Sequence, residues 1–316
     1  MITPADEASI ARAAEALQQG DVVAMPTETV YGLAADALNA EAVAKVFAIK
    51  QRPSFDPLIV HVASLEMAEA VACFNDTARR LAQAFWPGPL TMVLPKQPCV
   101  PDIVTSGLNS VGVRMPNHAS ALALIRTANT PLAAPSANLF GRVSPTSAQH
   151  VADQLGDKVE VILDGGPCQI GLESCVVEVE GDGVKVLRLG AITMEDIAKL
   201  GIPATRGLAV HERPNAPGML ASHYAPRKTL RLVERVLPES ANPRLGALVF
   251  QDAPTGFGHV EVLSPSGNLI EAAANLFAAM RRLESANIDE ILAEVLPEDG
   301  IGAAIMDRLR RAAGEV

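Results

Sequence analysis

Short runs of apolar residues alternate with longer segments whose apolar positions recur every third or fourth residue, and the alternation persists through roughly the first two hundred positions. The opening segment shows the helical half of the pattern. Thr3 stands where an N-cap is expected, Pro4 at the first helical position and Asp6 and Glu7 in the first turn; Ile10, Ala13, Ala14 and Leu17 then share a face before Gly20 ends it. Val22 to Met25, closed by Pro26, reads as a buried strand. Further helices are expected over 39–49, 75–85 and 119–128. Strands are expected over 58–62, 90–94, 111–115, 159–163, 175–179 and 184–189, the last two joined by the hairpin signal Gly181-Asp182-Gly183. Strands interleaved with helices, with at least one hairpin, specify an α/β domain built on a mixed sheet.

The periodicity stops between Gly201 and Pro226, where Pro203, Pro214, Pro217 and Pro226 punctuate the chain. A structureless stretch of that length is either a linker or a functional loop. Met219, Leu220 and Tyr224 favour a lid that excludes water over an open tether, so residues 202–226 are read as a Pro-rich linker and lid. Beyond it, strands near 230–233, 245–250 and 291–296 and helices over 269–283 and 301–312 make a second, smaller α/β domain. The expected division is therefore 1–201, 202–226 and 227–316.

The 316 residues carry 26 Lys plus Arg against 36 Asp plus Glu, a net charge of −10. That field does not draw in polyanions, so nucleic-acid contact would need a local basic patch. Cys73, Cys99, Cys168 and Cys175 form no CxxC pair and fit a reducing cytoplasm better than a disulfide framework. No apolar run is long enough to span a bilayer, and the acidic N-terminus MITPADEAS lacks the charge of a signal peptide, so the chain reads as cytoplasmic.

P-loop, dinucleotide-binding and hydrolase-elbow motifs are missing. Polar clusters stand instead at the ends of expected elements. The run from Pro26 to Leu33 follows the first buried strand, where open α/β sheets place ligands; its threonines suit turn-making and ligand binding equally. Lys50 and Arg52 sit at a helix C-terminus, where they either offset the helix dipole or neutralise a phosphate chain. Arg114 alternates with apolar residues on a strand and must meet an acid or a substrate carboxylate if buried. Small hydroxyls, glycines and scattered cations suit a phosphorylated small molecule without identifying it.

The segments PTETVYGLAADA, KQRPSFDPLIVHV, WPGPLTMVLP, SVGVRMPNH, PLAAPSANLFGRVSPT, ESCVVEV and VLRLGAI, in this order and spacing, resemble the YrdC/Sua5 family. PGMLASHYAPRKTL and GIGAAIMDRLRRAA resemble the additional C-terminal domain of its longer, Sua5-type members. The resemblance implies a YrdC-like twisted mixed-sheet catalytic domain followed by a smaller Rossmann-like α/β domain. It implies synthesis of L-threonylcarbamoyladenylate from L-threonine, bicarbonate and ATP, with magnesium accompanying the ATP. The product would pass to the machinery that makes N6-threonylcarbamoyladenosine in transfer RNA, with at most a weak transfer-RNA contact and no membrane.

Carried over motif by motif, Thr29, His61, Arg114, Ala134 and Ser174 match threonine-contacting positions. Arg52, Asp56, Ser110, Ser136, Ser144 and Arg188 match nucleotide-contacting positions, with Lys50 on the phosphates and Tyr224 in the segment that closes over the nucleotide. Asp56 departs from the Asn usual in the family; an ionised carboxylate repels a triphosphate unless magnesium or Lys50 intervenes. Phosphoryl-type transfer needs charge neutralisation, here from Lys50 and Arg52, rather than a covalent nucleophile. Two other readings are an RNA-binding module that presents transfer RNA without catalysis and a carbamoyl-transfer domain acting on another substrate.

Overall fold

The computed structural model of the chain describes residues 1–207 and 224–315. These residues form two compact units, the first comprising Met1–Phe140, Pro145–Cys168 and 173–207. The second comprises 224–315 with two short segments, Gly141–Ser144 and Gln169–Leu172. No described helix is long and apolar enough to cross a membrane.

The first unit is built on eleven strands: β1 (Ile2–Pro4), β2 (Val23–Met25), β3 (Gly32–Asp36), β4 (Ile59–His61), β5 (Leu90–Pro95), β6 (Ser110–Arg114), β7 (Leu132–Ala133), β8 (Val161–Asp164), β9 (Cys175–Glu180), β10 (Gly183–Arg188) and β11 (Ala204–Arg206). They lie in the order β1-β8-β2-β3-β7-β4-β6-β5-β9-β10-β11. β4 pairs with β6, and β5 with β9, in parallel, while β5 and β6, and the hairpin β9 and β10, are antiparallel, so the sheet is mixed as its sequence requires. The helices are α1 (Glu7–Gln18), α2 (Ala40–Lys50), α3 (Leu65–Val71), α4 (Asp76–Phe85), α5 (Asp102–Thr105), α6 (Ala119–Ala128), α7 (Ala148–Leu155) and α8 (Met194–Ala198).

Two expectations are corrected. Thr3 does not cap α1: Ile2–Pro4 pairs in parallel with β8 at the sheet edge, where a proline without an N–H is tolerated, and Asp6 caps the helix by accepting from the Ser9 amide. Ala204–Arg206, placed in the linker by its prolines, extends the sheet beside β10. Three residues are too few for an alternating pattern to show. The rest of the expected lid, residues 208–223, lies outside the described residues.

Period-two alternation gives the central strands two unlike faces. Val60, Val111, Val113, Met92, Leu94 and Val177 point into the main core with Val43, Val46 and Phe47 of α2 and Leu81 of α4. Ile59 and His61, Ser110, Gly112 and Arg114, and Thr91 and Val93 occupy the opposite face, as the register Ile59↔Gly112↔Val93 and His61↔Arg114 requires. Helices α1 and α6 pack on this second face over β2, β3, β7 and β8, through Leu17, Leu124 and Ile125 against Met25, Leu132 and Leu163. The polar residues stand beyond that cover, on β4, β6 and β5.

The second unit has four parallel strands, β12 (Thr229–Val233), β13 (Leu245–Val249), β14 (His259–Val262) and β15 (Glu290–Glu294), in the order β12-β15-β13-β14. Helix α9 (Leu269–Ser285) packs against β13 and β14, and α10 (Gly302–Ala313) against β12. Tyr224, with a left-handed φ of 65°, is buried here, stacked on Phe277 at 5.5 Å with the Arg308 guanidinium 5.4 Å over its ring.

Just past β10, Gly190 runs so close to β9 that a Cβ would lie 2.3 Å from the Cys175 nitrogen. Gly190→Ala is therefore expected to lower stability by about 1–3 kcal/mol through overpacking, read as a drop in the urea midpoint. Because Cys175 adjoins Ser174, activity should fall beyond the loss of folded protein.

Candidate active site

The second face carries a buried ion pair at the ends of β4 and β6. Arg114 Nη2 lies 2.6 Å from Glu28 Oε1, and both side chains are 4% exposed. Arg114 Nη1 donates to the Thr29 hydroxyl at 2.9 Å and Nε to the Gly88 carbonyl at 3.2 Å. Despite the short contact, neither Glu28 oxygen nor Arg114 Nη2 makes a well-directed hydrogen bond. Buried polar atoms are nearly always satisfied by protein, water or ligand, so this pair has capacity for a further polar partner.

The PTET turn that delivers Glu28 is made by Thr27. Its hydroxyl accepts from the Thr29 and Val30 amides and donates to the Val30 carbonyl at 2.6 Å. The two threonines thus divide the roles their composition left open: Thr27 builds the turn and Thr29 faces Arg114. His61, in register with Arg114, has Nδ1 3.2 Å from the Ile59 carbonyl. Burial, with a smaller push from the Arg114 charge, drives its pKa down to about 3. Cys168 lies close enough to Glu28 and Arg114 to feel both charges, and burial pushes its thiol up to about 12.

A second cluster gathers the cations. Lys50 ends α2 but does not serve its own helix: it is 1% exposed and donates to the carbonyls of Ser136 and, at 2.6 Å, Asn138. Desolvation, and secondarily Arg52, hold its ammonium well below the usual lysine range. Arg52 forms a buried 2.8 Å ion pair with Asp56, donates to the Asp56 and Pro57 carbonyls at 3.0 Å, and lies 5.9 Å over the Phe140 ring. Burial raises the Asp56 pKa, against the opposing fields of Arg52, Lys50 and Arg188. Three cations therefore surround one acid, and the carboxylate whose repulsion was expected to need magnesium or Lys50 is already paired to Arg52.

Ser174 joins this cluster rather than the first. Its hydroxyl is 2.7 Å from that of Thr91 and accepts from Arg188 Nη2 at 3.1 Å, while its carbonyl accepts from Arg188 Nε. Ala134 is held between the clusters, its amide donating to the Ile59 carbonyl. Ser136 is bridged to Gly32, one residue past the PTETVY turn. Ser110 begins β6 and Arg114 ends it, about 13 Å apart at strand rise, with Gly112 between them on the same face. Pro57, Ile59, Thr91, Ser110 and Gly112 line one narrow slot. Ser144 and Tyr224 belong to the second unit, where Ser144 is buried and its carbonyl accepts from Arg281.

Thr91 stands outside the polar clusters read from the sequence, and Glu28 and Asn138 lie inside two of them without a role assigned to either. Thr91 was detectable as the polar residue of an otherwise apolar strand. Glu28 was foreshadowed by the need of Arg114 for an acid. Among the described residues no group of three His, Cys, Asp or Glu side chains is arranged to hold a metal.

The family described as Telomere recombination, covering Sua5, YciO and YrdC proteins, matches residues 15–190, and the Threonylcarbamoyl-AMP synthase C-terminal domain matches residues 192–314. The chain is 42% identical to the threonylcarbamoyl-AMP synthase of Pyrococcus abyssi, over 98% of this chain and 95% of that one. It is likewise 42% identical to the Bacillus subtilis enzyme, over 98% and 94%. The crystal structure of P. abyssi Sua5 complexed with L-threonine is similar with a TM-score of 0.91 and 39% identity, covering 100% of this chain and 97% of that one. Two consecutive family matches and full-length relatives of this similarity leave one assignment: the chain belongs to the YrdC/Sua5 family, in its two-domain form.

Proposed function

We propose that this chain is a threonylcarbamoyl-AMP synthase that joins L-threonine, bicarbonate and ATP, releasing pyrophosphate, and that its product serves threonylcarbamoylation of adenosine in transfer RNA. The observation that carries the reading is one sheet face with a buried charge pair, Glu28 and Arg114, next to a cluster of Lys50, Arg52 and Arg188 around a single acid. A free amino acid needs both signs of charge. Arg114 supplies the counter-ion for its carboxylate and Thr29 adjoins it, while neutral His61 adds hydrogen-bonding capacity without another charge.

The nucleotide requires the opposite arrangement. Lys50, Arg52 and Arg188 neutralise phosphates, and Lys50 is fixed by two carbonyls before ATP arrives, so little reorganisation is left for the reaction. Ser110, Ser136, Ser144 and Tyr224 are assigned to the nucleotide on the family resemblance. When bound with ATP, magnesium supplies further charge neutralisation at the phosphates. The carbamate made from threonine and bicarbonate decomposes readily in water, so holding both reactants on one buried face shortens its exposure.

The reading as an RNA-presenting module is disfavoured by the arginine pairs. Arg79, Arg282, Arg310 and Arg311 are engaged by Glu69, Glu261, Glu298 and Asp307, and Arg80 and Arg281 donate to backbone carbonyls. They are spent on the fold rather than arrayed for a phosphate backbone.

Pyrophosphate release should require L-threonine and bicarbonate together with ATP; undiminished release without threonine would exclude the assignment. Arg52→Ala removes a charge-assisted contact and should reduce kcat/KM for ATP by roughly ten- to a hundred-fold, with lower thermal stability because Asp56 is left buried and unpaired. Asp56→Asn keeps the shape and removes the opposing charge, so KM for ATP should fall severalfold; a rise would identify the carboxylate as a direct ligand of the metal–nucleotide.

His61 gives a pH signature. Its native pKa of about 3 lies below the unfolded value of 6.5, so between them the unfolded chain takes up a proton that the native state refuses. Its contribution to stability is present above the unfolded value and is lost as pH falls, by at most about 1.4 kcal/mol per pH unit. Urea midpoints measured from about pH 7 to about pH 5 should fall more steeply for the parent chain than for His61→Asn.

A further inference from the structure

The second unit carries its own ligand-binding geometry, independent of the synthase reading. Adjacent strands β13 and β15 send the chain in opposite directions: β13 leads to β14 at one edge, and β15 leads to α10, which packs on β12 at the other. In an open parallel sheet such a divergence opens a crevice outside the carboxyl ends of the strands, where ligands bind. A crevice of about 500 Å³ lies there, lined among others by Arg235, Leu237, Phe250, Asp252, Glu294 and Val295. That volume is in the range of small-molecule sites.

The lining specifies the chemistry. Glu294, the last residue of β15, accepts the Phe250 amide through Oε2 at 3.0 Å, which fixes the carboxylate, and a carboxylate's second oxygen is able to accept from a hydroxyl. On the rim, Leu237 and Val295 are 48% and 40% exposed, two of the few large apolar side chains so exposed among the described residues. With the half-buried Phe250 they offer an apolar surface to a planar ring. Phosphate is not provided for. Among the described residues that line it, the one cation, Arg235, is shared with Asp252 at 3.8 Å, and Glu294 adds a second acid. Nor does an α-helix begin at the rim: β12 is followed by a 3-10 turn at Pro238–Ser240, and α10 starts only at Gly302.

We propose that this crevice binds an unphosphorylated nucleoside, with the ribose hydroxyls on Glu294 and the base against Leu237, Phe250 and Val295. The test is a titration of the isotope-labelled full chain with adenosine, 2′-deoxyadenosine and AMP, followed by amide chemical shifts. Adenosine should give saturable shifts at Phe250, Gln251 and Val295, separable from shifts at the first unit's cations. At this site 2′-deoxyadenosine and AMP should bind more weakly, the first for want of a hydroxyl and the second for its charge. Glu294→Gln keeps an acceptor for the Phe250 amide and should weaken adenosine there by roughly tenfold. Val295→Glu, a change at an exposed position, should abolish the crevice shifts and leave those of the first unit. Absence of saturable shifts at the crevice overturns the site, and tighter binding of AMP than of adenosine overturns the ligand class.

Discussion

A guanidinium taken out of water must be met on every side, and Arg114 organises the first unit because it is met by groups from distant parts of the chain. Glu28 and Thr29 come from the turn after β2, Gly88 from the approach to β5, and Arg114 itself from the last position of β6. Removing one partner would strand a charge at a cost of several kcal/mol. The turn built by Thr27 and the register of β4 against β6 are therefore held by the same contact. Its incomplete hydrogen bonding leaves the anchor of the fold with capacity for a further polar partner.

The cation cluster follows the same logic with the sign reversed. Lys50 and Arg52 flank the end of α2, where a helix dipole alone would hold them at the surface. They are buried because the 136–140 segment and the Asp56 loop supply carbonyls, a carboxylate and an aromatic face. Part of the burial cost is met within the protein, by the carbonyls of Ser136 and Asn138 and the Asp56 carboxylate, and a net positive charge remains. An acid at position 56 lowers the idle charge of the cluster without occupying Lys50.

Much of this was legible in the chain because burial imposes periodicity. Helix α6 was read to the residue, and the hairpin at Gly181 followed from turn chemistry alone. Of the segments that escaped, β1, β7 and β11 are two or three residues long and owe their existence to a neighbouring strand rather than to a pattern of their own; β3, β14 and the helices α3, α5, α7 and α8 were not read from the sequence either. Site residues were legible as polar interruptions of apolar runs, as with Arg114 and His61. Their partners were not. That Arg114 would find Glu28, or that Ser174 would side with Arg188, depends on which strands are adjacent, and adjacency is a property of the sheet rather than of local sequence.

The thiol beside the Glu28–Arg114 pair has a consequence for the cell's redox life. Burial pushes the Cys168 thiol up to about 12 and so disfavours the thiolate, the form that peroxides attack. Cys73 and Cys99, exposed on the surface, meet an oxidant first. Oxidants should thus modify the periphery before the buried Glu28–Arg114 pair, and activity should persist through an exposure that already marks the outer cysteines.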